Sequence, residues 1–203
     1  MKHLLLILLT IVSVSAKSQI SQAGWDKGTK FFRSMRPSIV DDAVNEDGFR
    51  RIYCNVGTIS QKNDVICFAV SGFKRDSDQY CRLNFVYSKA ERKPTVSIGD
   101  PILLKLGNDS TYRLNIVHVQ EFLPQVKHIG STVYTLYSIL FSCELTENEI
   151  EAFQHGTKKF RFEINDDKWD IEPKKDTFSQ FVIDEYNLIQ EAFTVEKKFE
   201  DDF

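Results

Sequence analysis

The chain has 203 residues, 42% of them hydrophobic and 27% charged, with 16 Phe, 7 Tyr and 2 Trp. That is globular composition and excludes a disordered, collagen-like or low-complexity chain. A formal net charge of −3 offers no general reason to bind nucleic acid or an anionic membrane.

Met1-Lys2-His3 is followed by an apolar run from Leu4 to Val12 and small residues at Val14-Ser15-Ala16. A basic start, a short apolar core and a small-residue end are the marks of a secretory signal peptide, here 1–16, with cleavage extending at most to Gln19. The run is too short for a stable bilayer span, which needs about 20 apolar residues. The Leu-rich form resembles bacterial export signals, and no cysteine follows it to accept a lipid. The mature protein is therefore expected in the periplasm or outside the cell, without stable membrane insertion.

Residues 17–48 show no convincing period and read as an irregular segment containing Trp25, Phe31-Phe32 and Ile39-Val40. From Phe49 the pattern becomes β. Residues 52–56 and 65–70 are strand candidates, and the second is apolar on both faces, as a central strand should be. Tyr80 to Tyr87 alternates Cys81, Leu83, Phe85 and Tyr87 against polar residues, a half-buried strand. Runs at 102–106 and 112–117 flank the turn Gly107-Asn108-Asp109-Ser110 and predict a hairpin. Residues 132–145 form the longest β run.

The period then changes. Thr146 and Glu149 form a capping box for a short helix near 146–155, ended by Gly156. Lys158 to Ile164 turns Phe160, Phe162 and Ile164 inward, and Asn165-Asp166-Asp167-Lys168 leads into Trp169-Asp170-Ile171 before Pro173 stops the strand. A last helix begins near Asp176 or Thr177, with Phe178, Val182, Tyr186, Ile189 and Phe193 on one stripe. The tail, 194–203, is mixed in charge. The reading is one domain over 49–193, mainly β with two helices: an antiparallel sandwich or barrel-like sheet, with the C-terminal amphipathic helix packed on it.

Four cysteines remain in the mature chain: Cys54, Cys67, Cys81 and Cys143. Export makes disulfides available, and strand parity turns all four toward apolar surroundings, which suits buried free thiols equally. Their spacings form no metal knuckle, and an apolar pocket disfavours a catalytic thiolate. His118 and His128 would have to converge with a carboxylate to hold zinc or copper, while His155 suits a helix C-terminus. No HExxH, GxSxG, SxxK or Walker loop is present, so no metal or cofactor is expected.

Acidic pairs Asp41-Asp42 and Asp166-Asp167, with Asp170 and Glu172 nearby, carry the residue types of a glycosidase, but turns and surfaces explain them. Residues 165–167 lack the alternating ligands of a calcium loop. Lys158-Lys159 and Lys174-Lys175 flank Trp169, the one large aromatic placed near a turn where it could meet a sugar or a partner. These signals favour an exported, non-catalytic protein that binds a partner protein or an envelope component. A glycan or lipid binder and a hydrolase built from distant carboxylates or histidines are the alternatives.

Overall fold

The computed structural model describes residues 30–32, 37–61, 64–165, 167–172 and 178–197. The expected signal segment 1–16, Trp25, Asp166, Pro173, Lys174-Lys175, the expected helix start at Asp176 or Thr177 and the tail from 198 onward lie outside the described residues.

Among the described residues, twelve antiparallel strands and two helices follow one another. They are β1 (Lys30–Phe32), β2 (Ile39–Val44), β3 (Arg50–Cys54), β4 (Gly57–Gln61), β5 (Asp64–Arg75), β6 (Asp78–Ala90), β7 (Pro101–Leu106), β8 (Thr111–Glu121), β9 (Gln125–Ile129) and β10 (Thr132–Leu145). After these come helix α1 (Glu147–Gln154), β11 (Thr157–Ile164), β12 (Asp167–Ile171) and helix α2 (Phe178–Thr194). The segment 17–48, irregular by its sequence, contains β1 and β2. The alternation of β2 is the less visible because Asp41 and Asp42 interrupt the apolar residues, and pairing with β3 supplies what propensity does not.

The hydrogen-bonded path runs β1-β4-β5-β6-β10-β8-β7-β11-β12 and does not close. β5 and β8 change partner part-way along their length. β5 pairs β4 along its first half and β3 along its second, and β8 pairs β7 through Thr111–Asn115 and β10 through Ile116–Glu121. Bending at β8 carries β11 and β12 back across the inner face of β6 and β10. There Phe162 meets Phe85 at 6.4 Å and Phe141 at 5.9 Å between ring centroids. Apolar burial of these rings, worth about 2 kcal/mol each, is what holds the layers together.

The rest of the inner face is covered by the helices. Thr146 caps α1 with the full capping box, and Gly156 takes φ +75 just beyond its C-cap His155. In α2, Phe178, Val182, Ile189 and Phe193 are buried as their spacing predicts, and Tyr186 is half-buried. Phe181 is buried as well, edge-on to Phe68 at 5.3 Å. The helix lies so close to β5 that a Cβ on Gly72 would stand 2.3 Å from Ile189 and 2.8 Å from Phe193.

No basic residue lies in the last turn of α2, so its carbonyls find cations elsewhere. Lys74 of β5 donates to the Phe193 carbonyl at 2.9 Å, and Arg50 of β3 donates to that of Val195 at 2.6 Å. Arg50 is buried and also grips both oxygens of Asp42 at 2.8 and 2.7 Å. Lys197 in turn donates to the Asp42 backbone carbonyl, tying the chain after the helix to β2.

Candidate functional site

The four cysteines are buried free thiols. Cys54, Cys81 and Cys143 belong to the main core, whereas Cys67 sits on the opposite face of β5 with Val56, Ala69, Val86 and Leu140. Burial pushes the thiols of Cys67, Cys81 and Cys143 up to about 12 and raises that of Cys54 still further, with the Glu185 carboxylate adding to the effect. Ellman's reagent is therefore expected to leave the native protein untouched and to count four thiols once it is unfolded. A native count above zero, or fewer than four on unfolding without reductant, would contradict this arrangement.

Trp169 is half-buried and packed. Its ring stacks on Phe162 at 5.9 Å and 7°, and lies edge-on to Tyr87 at 5.3 Å. Those contacts tie β12 down over β6. Around it the charges are matched: both Arg161 nitrogens Nε and Nη2 donate to Asp170, and Lys159 bridges Asp170 at 3.3 Å and Glu172 at 3.1 Å. The Arg161 hydrogen bonds, with help from Lys159, hold the Asp170 carboxyl down to about 2, so this group stays ionised and does not serve as a general acid. Because its folded value is depressed, its stabilisation is complete above the ordinary aspartate range and is lost as pH falls from about 4 toward 2. The pair is largely solvent-exposed, so the loss is a few tenths of a kcal/mol. A carboxyl NMR titration near the ordinary value would contradict the pairing.

The histidines do not converge. His118 on β8 faces Ser142, while His128 lies in β9 and faces Val133. Nine residues of β10 separate those positions, about 30 Å of strand, and their odd difference places them on opposite faces. Among the described residues no group of three or more His, Cys, Asp or Glu could hold a metal. Burial and the nearby Arg82 charge both lower the His118 pKa, keeping the ring neutral at pH 7. Ser142, in register with it, is fully buried and donates to Asn84 Oδ1 at 2.8 Å, and Asn84 donates to Ser71 Oγ at 2.8 Å. That chain of bonds knits β10, β6 and β5 and uses the hydroxyl that a nucleophile would need.

The inner face is filled by phenylalanine. Phe68, Phe153, Phe160 and Phe178 touch ring to ring at 5.0 to 5.8 Å. The feature with unsatisfied surface lies instead at the far end of β10. Pairing with β6 stops at Leu136 and Ala90, but β10 continues outward to Thr132 and, with β9, forms a two-stranded arm around the turn Gly130-Ser131. Leu123, in the short connection before β9, is 88% exposed, and Val126 and Val133 are 63% and 58% exposed.

Comparison with protein-family models, with curated proteins and with solved structures finds no match. The arm must be read from its own geometry.

Cross-strand register places Val126, His128, Val133 and Thr135 on one side of the arm. Along β10 this is the same side as Ile139, Phe141, Cys143 and Leu145, the residues that face the core. The arm is thus the core-facing row carried past the helices and past β12 into solvent. Glu91 steadies its base, its N–H donating to the Thr135 carbonyl at 2.8 Å and its carboxylate accepting from the Thr135 amide. The sequence signals missed it because 132–145 read as one β run, and nothing in that run marks where its neighbour β6 stops.

Proposed function

We propose that this protein acts after export as a non-catalytic binding protein and holds a partner protein through the β9–β10 arm. The observation that carries the reading is the arm: a two-stranded ribbon is marginal in water by itself, and this one spends three exposed aliphatic side chains on solvent. Covering Leu123, Val126 and Val133 would recover several kcal/mol, which a partner can supply. The tip residues Gly130-Ser131 are polar while the aliphatic residues lie along the flank. That distribution suits a protein lying alongside the arm better than a tip dipping into a bilayer.

The N-terminal signal supports action outside the cytoplasm. Among the described residues no helix is long and apolar enough to cross a membrane. The close contact of the core rings favours a surface partner over a lipid or glycan held inside the sheet.

Cross-linking the protein in its native envelope, followed by identification of what co-purifies, tests the proposal. The triple variant Leu123→Ser, Val126→Thr, Val133→Thr is expected to lose the stoichiometric partner while melting within a few degrees of the parent, because all three side chains are already in water. Retention of the same partner by that variant would remove the arm from the function.

A further inference from the structure

We infer that the partner contributes an extended, acidic segment that adds as a further strand to the free edge of β9; this rests on the arm being the binding element.

The backbone geometry points to that edge. Ile129 and Thr132 flank a two-residue turn, so they form a hydrogen-bonded pair, as do Lys127 with Tyr134 and Gln125 with Leu136. The alternate residues, Val126 and His128, then aim their N–H and C=O groups away from β10. The other edge of the arm displays the same alternation: Thr135, opposite Val126, turns its amide and carbonyl outward, where Glu91 takes both. Two other edge strands carry obstructions to pairing. At β2, Lys197 occupies the Asp42 carbonyl, and β12 carries the alternating charges Lys168 and Asp170. β9 pairs with β10 alone among the described residues, and Lys127 is the cation that lines its outer edge.

Charge selects the chemistry of the added strand. From Phe122 to Cys143 the chain contains no aspartate or glutamate, in a protein with 29 of them. Lys127 and His128 are the titratable side chains of β9. A strand laid against them is favoured by carboxylates at alternate positions and disfavoured by lysines there. Main-chain bonds to Val126 and His128 supply affinity and the Lys127 pairing supplies selectivity, the mode of strand addition at an open sheet edge.

The probe is a ten-residue peptide alternating threonine and glutamate, with its threonine–lysine counterpart as control, added to the exported chain. Amide hydrogen exchange at Val126 and His128 is expected to slow at least threefold with the acidic peptide and to stay unchanged with the basic one. Val126→Pro removes an outward N–H without breaking the β10 ladder and should abolish the protection, whereas Val126→Thr should retain it. Continued protection of Gln125 and Lys127 amides confirms that the proline variant keeps its arm. Lys127→Glu should weaken the peptide roughly tenfold. Unchanged exchange at Val126 and His128, or equal protection in the proline variant, overturns strand addition. If the cross-linked partner survives Val126→Pro but not the triple variant, the arm binds by its side chains alone; if it survives both, the reading of the arm falls as well.

Discussion

Removing the chain from Phe178 onward is expected to unfold the protein rather than loosen it. Phe178, Phe181, Val182, Ile189 and Phe193 are all buried against the sheet and α1. At about 1.5–3 kcal/mol per side chain their loss amounts to roughly 10 kcal/mol, comparable with the whole stability of an ordinary domain. The truncation also strips Lys74 and Arg50 of the carbonyls they bond, leaving Arg50 buried on Asp42 alone among those contacts. Circular dichroism should show no cooperative melt. A truncated protein melting near the parent temperature would mean that α2 is peripheral, and would overturn the account of the core given above.

The second large effect is expected from Glu185. This side chain is fully buried on the inner side of α2, and its Oε2 accepts the Val70 amide at 3.0 Å. Val70 lies where β5 changes partner, between the last residue paired with β4, Phe68, and the first paired with β3, Ser71. Neither short strand reaches that amide, and a buried N–H without an acceptor is costly. Glu185→Ala removes the acceptor and leaves a void, at a combined cost of about 3 kcal/mol. Glu185→Gln keeps an acceptor oxygen of the same reach and should cost about 1 kcal/mol. Urea midpoints of the two variants decide the point: equal losses would show that the hydrogen bond to Val70 contributes nothing.

Where local pattern determines structure, the chain could be read directly. Thr146 and Glu149 announced α1, the alternation of Phe160, Phe162 and Ile164 announced β11, and the hairpin of β7 and β8 followed from its turn. The α2 stripe was found at four-residue and three-residue steps, but it was too narrow: Phe181 and Glu185 widen the buried face. A charged residue in a helix ordinarily marks the solvent side, and only the gap opposite Asn55-Val56 gives Glu185 a reason to turn inward. The candidate site was harder. Trp169 stands out in the sequence by its residue type and its nearby turn, yet its stacking on Phe162 is decided by how β12 folds over β6, a contact between distant segments. The arm is defined by where β6 ends relative to β10, and register between distant strands leaves no mark in either one alone.

The bond between Glu185 and Val70 joins positions 115 residues apart and spans most of the folded chain. The central strand is therefore completed by a group supplied from far along the sequence. Until α2 packs, the inner face of β5 lacks its cover and the Val70 amide lacks the Glu185 acceptor. Nucleation has to wait for long-range closure, which makes for slow folding and a prolonged loose state.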